Sequence, residues 1–259
     1  MMTYTPLEGK VALITGAGAG IGAGIAERFS KAGAAVVIFD INGESAGEMS
    51  RKLDQIRQGR SLAVQGDVSN EGDVKAAVEK AAAKFGMVDI LINNAGIDVS
   101  GLVPDMSSTE WDRVLNVNLK GAFLFSKYAI PHMRGRGGAI VNISSVHALV
   151  SNEGYAAYDA SKAGMLAMTR TLALDHGRDG IRVNAICPGY INTPMTEEWF
   201  KEQPDPEATL KQVLSFHPLG RIGTTQDVAE AALFLASDAA SFVSGTYLVV
   251  DGAMTIAGR

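Results

Sequence analysis

Lys10-Val11-Ala12-Leu13-Ile14-Thr15, followed at once by Gly16-Ala17-Gly18-Ala19-Gly20-Ile21-Gly22, decides the fold. The first six residues are a short apolar run and read as a buried strand. After the glycines, Ile21, Ile25 and Phe29 recur at helical spacing through Ala32. The stretch is therefore strand, tight glycine turn, helix. Glycines let the backbone turn sharply and approach a pyrophosphate closely. The helix start then offers unpaired N–H groups and a favourable dipole. An ordinary turn also uses glycine, but it does not need a strand before and a helix after. The expected ligand is a dinucleotide, with Gly16, Ala19, Gly20, Ile21 and Gly22 along its phosphates.

Working outward, Ala35-Val36-Val37-Ile38-Phe39-Asp40 is a second strand that ends in an acid 18 residues after Gly22. An acid at about 20 residues accepts hydrogen bonds from the adenosine ribose hydroxyls and repels a 2′-phosphate. No Lys or Arg occupies 17–19 or 41–43 to attract that phosphate. NAD(H) is therefore expected over NADP(H), with Ile41 beside the adenosine. The competing reading makes Asp40 a cap for the next helix.

Further strands are expected near 61–66, 88–93, 138–144, 181–187 and 246–250. Helices are expected over 20–32, 44–57, 70–85, 108–134, 155–177 and 225–237. Alternation of this kind builds an α/β, Rossmann-like, doubly wound parallel sheet with helices on both faces. Ligands gather at the carboxyl ends of its strands. Asp67-Val68, Asn93-Asn94-Ala95-Gly96, Ser145 and Pro188-Gly189 all fall there. Residues 190–220 interrupt the rhythm. The adjacent Trp199 and Phe200 mark that segment as a substrate lid, since two neighbouring aromatics need something to cover.

Composition narrows the function. The 259 residues are 47% hydrophobic, enough for a sizeable core, and are expected to form one domain over 1–259. A net charge of −5 gives no support to nucleic-acid binding. No apolar run is long enough for a bilayer, and the start lacks the basic and apolar regions of a signal peptide. A cytoplasmic location is expected. The single cysteine, Cys187, excludes an intrachain disulfide and reads as a buried small residue. His132, His147, His176 and His217 show no metal-ligand spacing, so no metal is expected.

Tyr158-Asp159-Ala160-Ser161-Lys162 carries the chemistry. Positions i and i+4 share a helix face. An ammonium beside a phenol favours the phenolate, which can then work as a general base or acid. Ser145 lies thirteen residues upstream. Tyr155 is a competing base, but Asp159 and not a lysine stands four residues after it, so it is read as a substrate-pocket residue.

These motifs, with Asn118 and Thr193, resemble the short-chain dehydrogenase/reductase family over essentially the whole chain. The resemblance implies a sheet of seven parallel strands and assembly as a homo-oligomer, tetramer favoured over dimer. It implies a catalytic set of Asn118, Ser145, Tyr158 and Lys162. Tyr158 takes the hydroxyl proton, Ser145 positions the reacting oxygen, Lys162 reaches the nicotinamide ribose, and Asn118 holds a water linking Lys162 to solvent. Asp67 and Val68 are implied at the adenine ring, Asn94, Ala95 and Gly96 beside the adenosine, and Pro188, Gly189, Ile191 and Thr193 at the nicotinamide. The expected substrate residues are Asp98, Ser145, His147, Tyr155, Tyr158, Tyr190 and Met195. Ser144-Ser145-Val146-His147, Asp98, Ile191-Asn192-Thr193-Pro194 and the C-terminal Gly252-Ala253-Met254-Thr255 with Ala257-Gly258-Arg259 are similar to glucose 1-dehydrogenases of this family.

The expected activity is NAD(H)-dependent interconversion of a secondary alcohol and a ketone, or a lactol and a lactone. A polyol or aldose is the preferred substrate, with Asp98 and His147 binding adjacent hydroxyls. The alternatives are a reductase of 3-oxoacyl or other apolar ketones and, in a different class, a non-catalytic dinucleotide-sensing regulator.

Overall fold

A computed structural model describes residues 5–257; the ends of the expected 1–259 domain, including Gly258 and Arg259, lie outside the described residues. Seven parallel strands are ordered β3-β2-β1-β4-β5-β6-β7. They are β1 Val11–Thr15, β2 Ala35–Asp40, β3 Ser61–Gln65, β4 Ile90–Asn93, β5 Gly138–Ile143, β6 Ile181–Pro188 and β7 Tyr247–Val250. The helices between them are α1 Gly20–Lys31, α2 Gly43–Ile56, α3 Glu71–Phe85, α4 Ser108–Leu115, α5 Gly121–Met133, α6 Ala156–His176, α7 Pro194–Lys201, α8 Pro206–Ser215 and α9 Thr225–Ala236.

Strand alternation splits the core into two layers. Ala12, Ile14, Val36, Ile38 and Ile92 pack under Ile25 and Phe29 of α1, Leu53 of α2 and Leu233 of α9. Val11, Leu13, Val37, Phe39 and Leu91 face the other way, onto Val74 and Val78 of α3 and Leu124 and Phe125 of α5. Period-two side chains with both faces covered explain why the strands read as near-continuous apolar runs. Strand order reverses between β1 and β4, which opens a crevice at their carboxyl ends.

Expected and observed elements agree closely, with one informative exception. The single helix expected over 108–134 is interrupted at Asn116–Lys120 by one π-helical turn. Such turns swell a helix by one residue and re-aim a side chain. Here the turn carries Asn118 fully into the interior, at 0% exposure. Residues 190–220 form α7 and α8, each opened by a proline in its first turn.

Candidate active site

The glycine loop is built to bring backbone close to something. Gly16 and Gly20 hold positive φ, 62° and 56°, a region costly to residues with a Cβ. A Cβ on Gly22 would collide with the carbonyl oxygen of Gly16. Two side chains brace the loop from β4's end. Asn94 donates through Nδ2 to the carbonyls of Thr15 (2.9 Å) and Gly16 (3.0 Å). Thr15 Oγ1 accepts from the backbone N–H groups of Asn94 and Ala95, both at 3.0 Å. Residue Ala19 precedes α1 and offers no side-chain cap, and the first turn holds no acid. The donors at the start of α1 therefore meet the cavity with no side-chain acceptor of their own, an arrangement that fits a pyrophosphate.

Asp40 lies beside this loop. Its Oδ2 accepts from Gly18 N (2.8 Å) and its Oδ1 from Asn42 N (3.0 Å). The capping alternative for Asp40 does not hold, because Asn42 caps α2 through Glu44 N and Ser45 N. Asp40 lines a cavity with Ile41, Asp67 and Val68, and that cavity shares Gly16, Ala95 and Gly96 with the one over the start of α1. The cleft thus runs continuously from the acid at β2 to the end of β6, where Pro188, Gly189, Ile191 and Thr193 line it. These dimensions and donors suit an extended dinucleotide. Asp67 holds its own turn by accepting from Ser69 N and Oγ, both at 2.8 Å. Thr193 Oγ1 accepts from Thr196 N (3.2 Å) and so caps α7.

Ser145, Tyr158 and Lys162 come together where this cleft meets a second chamber of about 390 Å³. Ser145, Tyr158, Gly189, Met195 and Thr196 belong to both. Lys162 is 3% exposed, and its Nζ donates to the Ile143 carbonyl at 2.9 Å. Ser144, the neighbour of Ser145, is committed elsewhere, donating to the Lys162 carbonyl at 2.9 Å. The electrostatics differ from expectation. Burial pushes the Tyr158 phenol up to about 12, with the Ser145 hydroxyl opposing and Asp98 and Asp159 adding to the rise. Burial likewise depresses the Lys162 ammonium to about 8. Desolvation disfavours the charged form of each group, and at 5.5 Å from the ring centroid the ammonium does not outweigh it.

Asn118 is bonded through its whole side-chain amide. Its Oδ1 accepts from Ile97 N, and its Nδ2 donates to Ile97 O (both 2.8 Å) and to Ser161 Oγ (3.0 Å). The amide clamps the backbone beyond β4 to α6. Asn118→Ala leaves the half-buried N–H and C=O of Ile97 without these partners. The expected loss of stability is about 2–4 kcal/mol, read as a lower urea midpoint at unchanged m-value.

The chamber brings together Asp98, His147, Tyr155, Tyr190 and Met195, all expected on the substrate side. His147, however, is engaged at both ring nitrogens, with Asp159 Oδ1 at Nδ1 (2.7 Å) and Asn152 Nδ2 at Nε2 (3.2 Å). Both ring nitrogens are thus occupied, which counts against the expected role as a sugar-hydroxyl ligand. The ring packs edge-on against Tyr155 (5.2 Å) and Tyr158 (5.4 Å). Its backbone N–H donates to Ser145 Oγ at 3.1 Å, so His147 sets the serine and the tyrosine relative to each other. Sequence reasoning missed Asp159 and Asn152 as its holders; the twelve-residue separation of Asp159 carried no motif. Asp159→Asn is expected to lower kcat about three- to tenfold with little change in cofactor affinity, checked by steady-state kinetics beside NADH titration.

Cys187 is buried, and its thiol is pushed up to about 11, chiefly by burial. Among the described residues there is no cluster of His, Cys, Asp and Glu suited to a metal ion, and no helix is long and apolar enough to cross a membrane.

Residues 16–255 match the family described as Enoyl-(Acyl carrier protein) reductase. The chain is 42% identical to the 3-oxoacyl-[acyl-carrier-protein] reductase of Thermotoga maritima, over 96% of this chain and 99% of that protein. It is 44% identical to 3beta-hydroxysteroid dehydrogenase 1 of Eggerthella lenta, over 98% of this chain and 96% of that protein. The crystal structure of 3-ketoacyl-(acyl-carrier-protein) reductase from Brucella melitensis, complexed with NADH, superposes with a TM-score of 0.87 at 39% identity, covering 96% of this chain and 99% of that one.

Proposed function

The chain belongs to the short-chain dehydrogenase/reductase family and is an oxidoreductase of CH–OH groups, and from that premise we propose that it is an NAD(H)-dependent dehydrogenase in which Tyr158 is the proton-transferring group. The observation that carries this reading is the junction of the two cavities. Ser145 and Tyr158 line both the dinucleotide-shaped cleft and the chamber beside it. An alcohol in the chamber therefore lies between a phenol and the nicotinamide end of the cleft.

NAD supplies the hydride acceptor when bound there. Gly16, Ala19, Gly20, Ile21 and Gly22 hold its phosphates, Asp40 its adenosine ribose, and Asp67, Val68 and Ile41 the adenine side. Pro188, Gly189, Ile191 and Thr193 border the nicotinamide, while Asn94, Ala95 and Gly96 floor the cleft. Ser145 Oγ accepts from His147 N, and its hydroxyl hydrogen, shared with the Tyr158 phenol, is the one offered to the substrate oxygen. Tyr158 then takes the hydroxyl proton as hydride leaves carbon. Lys162 sits beneath, where its charge favours the phenolate once the site is filled and water is excluded. Asn118 acts by positioning, through Ile97 and Ser161. In the reducing direction the same phenol returns the proton.

The preference for NAD over NADP rests on Asp40. Its carboxylate repels a 2′-phosphate, and Arg113 of α4 is the single basic residue lining its cavity. Asp40→Ser is expected to shift the kcat/KM ratio towards NADP by roughly 10–150-fold, corresponding to about 1.5–3 kcal/mol. A wild-type enzyme that prefers NADP would overturn the assignment.

The chamber's walls bear on the substrate. Val150, Met195, Trp199, Val213, Phe216 and Met254 are apolar or aromatic. With His147 engaged, Asp98, Gln203, Thr209 and Gln212 are the polar lining residues left to a sugar reading, while the apolar and aromatic walls suit a secondary alcohol with a compact apolar body. Reduction of 3-oxoacyl or other apolar ketones is the second reading, favoured by the same walls. Residues 190–220, as α7 and α8, act as the chamber's lid. Assembly as a homotetramer and a cytoplasmic location, where NAD is abundant, complete the reading. A panel of sugars, polyols, hydroxy acids and steroid alcohols with NAD, followed by NADH absorbance, tests it; no NADH from any secondary alcohol would defeat it.

A further inference from the structure

We propose that the chamber beside Tyr158 selects substrates by charge, drawing a positively charged group on the substrate towards Asp98 and rejecting anionic substrates. This rests on the reading of the chamber as the substrate site and adds the chemical class of the substrate's far end.

Three observations carry it. First, none of the residues lining the chamber is Lys or Arg. Lys201 and Lys211, on the two lid helices, are exposed and do not line it. Lys162 belongs to the dinucleotide side and is bonded to Ile143 O. Thr196 N, at the start of α7, already donates to Thr193. A carboxylate, sulfate or phosphate on the substrate thus finds no Lys or Arg there, and the one imidazole, His147, is already paired with Asp159. Second, one exposed carboxylate lines the space and two more stand near it. Asp98 lines it and accepts no hydrogen bond from the described residues. Asp159 stands behind His147. Burial first, and after it the charges of Asp98, Asp159 and Glu202, hold the proton on the Tyr155 phenol, against an opposing hydrogen bond with Trp199. A cleft with one sign of charge and low-dielectric walls focuses that field on whatever enters. Third, the walls are aromatic. Tyr155 and Phe216 line the chamber with Tyr190 and Trp199, whose rings are 5.7 Å apart. Aromatic faces attract cations and give anions nothing in return. A neutral apolar chamber needs the rings but not the acids, and a carrier-bound or acidic substrate needs a cation; the combination present suits an ammonium.

Calorimetric titration of the protein with bound NADH tests this, because an alcohol cannot react with the reduced cofactor and binding is read apart from chemistry. Three alcohols share a methyl carbinol and a three-carbon chain and end in trimethylammonium, tert-butyl or carboxylate. At low ionic strength the ammonium is expected to bind tightest and the carboxylate weakest, about 30-fold apart or more, and the gap should narrow with salt. Asp98→Asn should shrink that ratio about fivefold. Glu79→Gln, the same charge change on the exposed side of α3, should leave it in place. A carboxylate that binds as tightly as the tert-butyl alcohol, or a ratio untouched by Asp98→Asn, overturns the proposal, as does failure of all three to bind. The same compounds are then offered with NAD. Binding in the expected order without any NADH formed would sink the oxidoreductase reading of the chamber and leave charge selection standing.

Discussion

Tyr158→Phe is expected to lower kcat by about 10³–10⁴-fold while leaving the affinity for NADH within about twofold. The substitution removes one oxygen. The ring keeps its edge contacts with His147 and Tyr155, so the chamber keeps its shape and the cleft its lining. What disappears is the group that takes the substrate proton. The pH profile separates this from a packing defect. In the protein alone the phenol is held up at about 12 by burial. Its deprotonated fraction, and with it the oxidation rate, therefore rises with pH across the neutral to alkaline range. Lys162, depressed to about 8, loses its charge as pH rises through that value, which opposes the gain. Wild-type oxidation should climb above neutrality and flatten. The residual activity of the Phe variant should show no such climb. Turnover retained within tenfold would remove Tyr158 from the proposed mechanism, and lost NADH binding would make its role structural. A dinucleotide sensor without chemistry would show the reverse pattern, its biological output unaffected by the same change.

Gly22→Ala carries the second large effect, and it acts on the cofactor. The added methyl would meet the Gly16 carbonyl and the Asn94 amide at once. Asn94 Nδ2 is the group that holds the Thr15 and Gly16 carbonyls, so the clash cannot be relieved without moving the loop. Overpacking of this kind costs about 1–3 kcal/mol, and the displaced loop no longer aims its N–H groups at a pyrophosphate. Affinity for NADH should fall at least about 100-fold, with a lower thermal midpoint. Gly177→Ala is the control, since a Cβ there meets nothing within 4 Å. Wild-type affinity for NADH in Gly22→Ala would separate the glycine loop from cofactor binding.

Most of the fold was legible because its signals are local and mutually consistent. Each strand is a short apolar run, each helix has its own period, and α2 and α3 begin at asparagines that cap them. The helix interruption at Asn116–Lys120 was not legible. One extra residue in a turn leaves the apolar period of residues 108–134 intact, and only packing against Ile97 and Ser161 reveals it. In the candidate site, the residues that line the cleft could be anticipated because they follow strand ends at fixed intervals. The chamber residues were harder. Asp159 reads as a solvated helix position, yet its side chain is tucked against His147 with 16% exposure.

By itself the sequence determined the order of the elements, the crevice at the reversal between β1 and β4, and the residue types that meet there, because apolar periodicity, glycine spacing and the Tyr158–Lys162 interval each act within a few residues of chain. The tertiary structure alone decided the electrostatic state of those residues. Whether a phenol rises or falls, whether an imidazole is free or held, and whether a chamber carries any cation depend on burial and on partners distant in sequence, and no local pattern records the dielectric around a side chain.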